Sequence, residues 1–239
     1  MINKNTKPIF YIVTFCIFYF MFDSICFSNL KTKHKKGIDK IDIIMYINLK
    51  HRLDRKKSIE KQLSIMNIDK DKIIRIDAIK HSPGDIGCAM SHIKSLELAQ
   101  KLGHEYTLIL EDDFVWKYHP NTINPIINNI FKIKNWDACL LSCNNRNRIH
   151  KSEIINENYI TYNKVYKCLT TSSYIIKKHY IPVLLNFWKK KLNEKPFVPI
   201  DRTWFELQQK DNWIMTNPLI GKQLDSYSDI EEKEVNYNV

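Results

Sequence analysis

The run Tyr106-Thr107-Leu108-Ile109-Leu110 empties directly into Glu111-Asp112-Asp113-Phe114. An apolar, β-branched run of this length reads as a buried strand. Three consecutive carboxylates at its end repel one another, and burying them unpaired would be very costly. Something cationic is expected there. A hard divalent ion that keeps several waters and shares its other positions with phosphate oxygens suits such a cluster. A solvated acidic loop after a core strand is the plainer reading of an arbitrary Glu-Asp-Asp, so the rest of the chain has to decide.

The flanking pattern alternates strand and helix. Residues 41–49 form an apolar strand, and residues 54–67 place Ile59, Leu63 and Met66 at helical spacing. Residues 73–78 are the next strand. Asp85 opens a helix carrying Ile86, Ala89, Met90, Ile93 and Leu96 that ends near Gly103, before the Tyr106 strand. This order predicts an α/β fold with a mostly parallel sheet and right-handed crossovers. Ligands in such sheets bind beyond the carboxyl ends of the strands, which sets Asn48, Asp77 and Glu111 to Asp113 on one rim. Farther along, the pattern predicts a helix over 123–133, a strand over 136–141 and a hairpin or connecting β segment over 159–169. A strand over 173–176, a helix over 180–192, a helical 201–209, a strand over 213–216 and an irregular tail from 221 complete it. Five glycines leave little room for a phosphate loop, and neither a dinucleotide fingerprint nor a P-loop is present.

The chain has 239 residues and a net charge of +11. Its basic residues are scattered among acids outside the stretch 31–36, so the charge reads as compositional drift and no nucleic-acid partner is expected. Residues 9–22 are almost continuously apolar and follow Lys4 and Lys7. That is short of the roughly 20 residues of a membrane span, but continuing through Ile25, Cys26 and Phe27 reaches a workable length. Residues 1–30 therefore read equally as a signal anchor or a cleaved signal peptide, and both direct the chain to the membrane or secretory pathway. Residues 31–40 read as a basic stem, and residues 41–239 as a single catalytic domain. Of six cysteines none forms a Cys-x-x-Cys pair, which argues against a zinc ribbon. Cys88 and Cys139 sit among apolar neighbours as small core residues. A disulfide among Cys139, Cys143 and Cys168 stays open for a lumenal domain.

Several segments, in order, resemble glycosyltransferase family 25, the lipooligosaccharide and procollagen galactosyltransferases. They are Ile47-Asn48-Leu49 with Asp54-Arg55, Ile86-Gly87-Cys88-Ala89-Met90-Ser91-His92, Leu110-Glu111-Asp112-Asp113 and Trp136-Asp137. Thr170-Thr171-Ser172-Ser173-Tyr174, Ile200-Asp201, Gln223 and Ser228-Asp229-Ile230 complete the set. The likeness spans approximately residues 41–230 and is strongest to short, single-domain members such as those of large DNA viruses.

The resemblance implies a GT-A-like fold, a uridine diphosphate sugar donor and inversion at the anomeric carbon. It implies Mn²⁺ or Mg²⁺ on the acidic motif, with Glu111 and Asp113 as first choices for ligands and Asp112 next. Galactose or glucose would pass to a glycan, a lipid-linked saccharide or hydroxylysine. Asp201 matches the family's late aspartate and is the candidate base for the acceptor hydroxyl; capping the helix that follows is its competing role. Asn48, Arg55, Asp77, His92, Gln223 and Asp229 are the candidate donor-site residues. Three of them have a plainer reading: a solvated helix-face arginine for Arg55, a turn residue for Asp77, a structural helix histidine for His92. A family-25-like protein that has lost its chemistry and serves as a carbohydrate-binding scaffold is the alternative.

Overall fold

The computed structural model describes residues 37–144, 150–228 and 233–235. Residues 9–22 and Asp229 lie outside them. Among the described residues, no helix is long and apolar enough to cross a membrane.

Strand β1 (Ile43–Asn48) is buried at every position, as a strand covered on both faces must be. It pairs in parallel with β2 (Ile73–Asp77) on one side and β3 (Tyr106–Glu111) on the other. With β5 (Ala138–Leu140), β6 (Lys151–Glu157), β7 (Ile160–Lys167), β8 (Ser173–Lys177) and β9 (Trp213–Thr216) they form one eight-stranded sheet. The spatial order is β2-β1-β3-β8-β5-β9-β7-β6. Strands β8 and β7 run against the other six, because β8 is antiparallel to both β3 and β5, and β7 to both β9 and β6.

The period-2 alternation of the strands divides the core into two layers. Met45, Ile109, Leu140, Tyr174 and Met215 face one layer, packed by α2 (Gly84–Leu102) and α4 (Ile181–Asn193). Ile44, Leu108, Cys139, Ile175 and Ile214 face the other, covered by α1 (Leu53–Ile65) and α3 (Pro120–Ile130). The first layer holds a chain of aromatic rings: Trp188 stacks on Trp204 with centroids 5.9 Å apart, and Trp204 meets Trp213 edge-on at 5.0 Å. Fully burying such rings dominates core energetics, and truncating one costs about 3–5 kcal/mol.

Several elements differ from the pattern read in the sequence. Gly37–Lys40, taken as the end of the stem, is a 3-10 turn built into the domain: the side chains of Asn128 and Asn124 accept from the Gly37 and Ile38 amides at 2.8 and 2.9 Å. The segment over 201–209 is two short helices, α5 (Ile200–Thr203) and α6 (Phe205–Lys210). The tail from Gly221 is not wholly irregular. Its β10 (Gly221–Gln223) pairs antiparallel with β4 (Phe114–Trp116), immediately after the acidic run, and β11 (Ser226–Ser228) pairs with β12 (Lys233–Val235). A Cβ at Gly221 would lie 2.1 Å from the Phe114 ring, so only glycine lets β10 close against β4.

Candidate active site

The register sets Asn48 beside Asp77 and Ile47 beside Glu111, so the ends of β1, β2 and β3 share one rim. Asp112 and Asp113, in the turn from β3 to β4, are 7% and 4% exposed. Their nearest cation comes from the first helix. Arg55 on α1 donates from Nη1 to Asp112 Oδ1 at 3.1 Å and lies 3.6 Å from Asp113 Oδ2. Far from being a solvated helix-face residue, Arg55 is half-buried against the two carboxylates; burial alone would lower its pKa, but Asp113 and Asp112 raise it. Asn48 donates from Nδ2 to Asp112 Oδ2 at 2.7 Å, and its Oδ1 accepts from Arg75. Arg75 also pairs with the exposed Asp77. Asp77 thus reaches the cluster only through Arg75 and Asn48.

Asp112 has both oxygens engaged, whereas Asp113 does not. Asp113 Oδ1 is buried without a hydrogen-bond partner. Its Oδ2 accepts from Gln223 Nε2 at 3.5 Å, and the Leu224 amide donates to its carbonyl at 2.7 Å. Burial, followed by the charge of Glu111, pushes the Asp113 pKa from 3.8 to about 8. A buried carboxylate oxygen with no donor is the signature of a position suited to a cation, so the residues fit a hard divalent ion. Among the described residues the three carboxylates do not converge within 4.8 Å: Asp112 is turned toward Asn48 and Arg55, and Glu111 toward Thr171 and His92.

Glu111 faces the other way. Its Oε1 accepts from Thr171 Oγ1 at 2.6 Å and from His92 Nε2 at 3.2 Å. A carboxylate can only accept, so His92 donates from Nε2, and in its neutral form Nδ1 accepts from the Tyr174 hydroxyl at 3.1 Å. Burial works to raise the Glu111 pKa, but His92 and Thr171 outweigh it and hold the carboxyl below its ordinary range. His92 is therefore placed at the cluster as an orienting donor to Glu111. The Gly-Cys-x-x-Ser-His run that carries it has its own logic. A Cβ at Gly87 would lie 2.4 Å from the Ile79 carbonyl, and Ser91 Oγ donates to the Gly87 carbonyl while accepting from the Ile79 amide. The loop after β2 can lie on α2 only because position 87 has no side chain.

Asp201 reaches the same recess from α5. The N-cap of that helix is Pro199, so Asp201 lies in the first turn and caps nothing. Its Oδ2 accepts instead from the backbone amide of Thr170 at 3.4 Å. Burial raises its pKa from 3.8 to about 6, opposed by the Thr170 hydrogen bond and reinforced by Glu111.

The run Thr170-Thr171-Ser172-Ser173, to which the sequence pattern alone assigns no role, is the hub of the site. Thr170 sits at φ 77°, a costly conformation for a β-branched residue. In that conformation its amide meets Asp201 and its hydroxyl donates to Gln223 Oε1 at 2.7 Å. Thr171 holds Glu111, the Ser172 carbonyl accepts from the Glu111 amide at 2.9 Å, and Ser142 Oγ lies 2.6 Å from both Ser172 Oγ and Ser173 Oγ. Cys88, read as a core residue, is only half-buried and belongs to the site: its thiol meets Thr171, and burial together with Glu111 and Asp201 pushes it well above the ordinary thiol range. The available signal was a polar run placed directly before an apolar strand.

A family model described as glycosyltransferase family 25 (LPS biosynthesis protein) matches residues 78–204, more than half of the chain. The chain belongs to glycosyltransferase family 25. The matched stretch contains the acidic run, the threonine hub and Asp201, and the architecture is a mostly parallel α/β sheet flanked by helices. Curated protein sequences yield no match. Solved structures with a similar fold include a glycosyltransferase involved in glycosylation of the major capsid of PBCV-1, at 13% identity and a TM-score of 0.44, covering 72% of this chain and 80% of that one. A UDP-glucose pyrophosphorylase complexed with UDP-glucose aligns at 11% identity and a TM-score of 0.45, covering 76% of this chain and 74% of the other. With both scores below 0.5, the functional reading rests on the family and on the site.

Proposed function

We propose that this family 25 chain is an inverting, metal-assisted hexosyltransferase. It takes galactose or glucose from a uridine diphosphate sugar and passes it to a hydroxyl of a glycan, a lipid-linked saccharide or hydroxylysine. The observation that carries the reading is Asp113, a buried carboxylate with one unpartnered oxygen at the rim where the family's acidic run lies. Asp113 and Glu111 are the residues that would hold Mn²⁺ or Mg²⁺, while Asp112 is engaged in orienting Arg55 and Asn48. When bound, the ion supplies Lewis-acid stabilisation of the leaving nucleoside diphosphate.

The remaining chemistry belongs to side chains. Asp201 accepts the proton of the acceptor hydroxyl as that oxygen bonds to the anomeric carbon and the bond to the diphosphate breaks. With a pKa of about 6 it is ionised at neutral pH and still basic enough for the task. The Thr170 amide fixes one of its oxygens, which orients the base before the acceptor arrives. His92 and Thr171 hold Glu111 ionised. The N-terminal segment is read as a signal anchor or a cleaved signal peptide that directs the domain to the membrane or the secretory pathway. An inactive scaffold would have no use for two separately perturbed carboxylates, one buried and one half-buried, beside one acidic rim.

The test is release of uridine diphosphate from a panel of uridine diphosphate sugars, with Mn²⁺ and with chelator. Metal-dependent turnover of one sugar establishes the donor. Absence of both turnover and nucleotide-sugar binding across the panel would overturn the reading.

A further inference from the structure

Away from the acidic rim, Cys143, His150 and Cys168 bring one ligand atom each to within 4.8 Å of one another. Cys143 and Cys168 are joined as a disulfide with Cα atoms 5.9 Å apart. His150 Nδ1 lies 3.2 Å from Cys143 Sγ. Its other nitrogen lies 2.8 Å from Ser152 Oγ, which also accepts from Asn163 Nδ2 at 3.0 Å. A ring fixed on one side by a hydroxyl and aimed at sulfur on the other is how a metal-ligating histidine is usually oriented. Cys168 is held independently of the bond to Cys143. Its amide donates to Gln208 Oε1 at 2.8 Å, and its carbonyl accepts from Trp204 Nε1 at 2.9 Å.

We propose that Cys143, His150 and Cys168 are a second cation site, available when the disulfide is reduced, that takes a borderline-soft divalent metal of the zinc type. A dithiol reductant supplies two electrons and two protons to open the disulfide and is itself oxidised to a disulfide. The two thiols then lose their protons as the metal binds both sulfurs and His150 Nδ1. Two thiolates and a neutral imidazole leave a dication with no net charge, which suits a site where both cysteines are buried. Three protein ligands leave a fourth position for water. This donor set is soft where the acidic rim is hard, so the two sites sort different metals. Cys168 stands two residues before Thr170, so either cross-link, sulfur–sulfur or metal, anchors the segment that positions Asp201.

The probe is Co²⁺ alone, added to the reduced full-length chain and followed by the near-ultraviolet thiolate-to-cobalt band and the visible bands of tetrahedral cobalt. One equivalent is expected to develop both, and Zn²⁺ to bleach them. Cys143→Ser and Cys168→Ser each lose the thiolate intensity. His150→Ala, which leaves both sulfurs in place, weakens Co²⁺ binding by about tenfold or more, and Ser152→Ala by about tenfold. Cys88→Ser leaves the spectrum unchanged. No thiolate band in the reduced protein would overturn the proposal. So would a band that survives Cys143→Ser and disappears in Cys88→Ser, which would place the metal on Cys88, His92 and Glu111.

Discussion

The two sides of the recess are made in different ways. On one side, β2, β1 and β3 run parallel and deliver Asp77, Asn48 and the acidic run from their carboxyl ends. On the other, β8 is inserted in reverse, so its first residue, Ser173, pairs with Leu110 at the end of β3. The loop that precedes β8 therefore arrives at the rim that the parallel strands leave from. The first side is a row of strand ends on a rigid sheet. The second is a single strained loop that holds three elements together through Asp201, Glu111 and Gln223. In the proposed reaction the strand ends serve the leaving group and the loop serves the acceptor.

The comparison can be broken first at the strand ends. Asp113→Ala removes the unpartnered carboxylate and is expected to cost several kcal/mol of transition-state stabilisation, roughly a 10⁴-fold loss of kcat/KM with Mn²⁺. Wild-type turnover in this variant would remove the metal from the acidic rim. On the loop side, Asp201→Asn is expected to lower kcat by about 10³-fold while donor binding, measured by calorimetry, stays unchanged. The sign of its pH dependence is fixed by its role: a base must be ionised, so kcat/KM rises with pH through about 6 and levels above it. A flat profile from pH 5 to 8 would assign the base elsewhere.

Smaller effects sharpen the division. Thr170→Val keeps the β-branch but loses the hydroxyl, which donates to Gln223 and accepts from the Ser172 amide, and about a tenfold fall in kcat is expected. Thr170→Ser, measured beside it, should restore most of the rate; equal losses in both variants would mean that the hydroxyl does not position the loop. The smallest effect is expected at Asp77→Asn, where an exposed pair with Arg75 is the main contact. The donor KM should rise by no more than about fivefold with kcat unchanged. A loss of kcat there would extend the chemical site to the outermost strand.

This division also explains what the sequence made legible. The acidic rim was readable because parallel strands put their ends together by rule: the order of elements is enough to set Asn48, Asp77 and Glu111 side by side. The reversed β8 breaks that rule, and nothing in the apolar pattern of residues 173–177 reports strand direction. Hence Thr170 and Thr171 precede a strand whose direction the pattern does not give, and their place at the rim is not legible from it. The partners of Arg55 are hidden from the sequence for a related reason. Helical spacing puts it on a face, and only the tertiary position of α1 says that this face is turned to Asp112 and Asp113. Strand β6 went unread because Lys151–Glu157 is mostly exposed and carries little apolar alternation.

The clasp between Asp113 and the segment Gln223-Leu224 has a temporal consequence. The acidic run and the residue that steadies it are 110 positions apart. A ribosome adding about 5–20 residues per second therefore exposes the carboxylates several seconds before their last partner exists. During that interval the nascent chain holds repelling acids with Arg55 as an early counter-ion, and the recess is finished only when β10 zips onto β4. The last contact of Asp113 to become available is thus the one made by a three-residue ribbon.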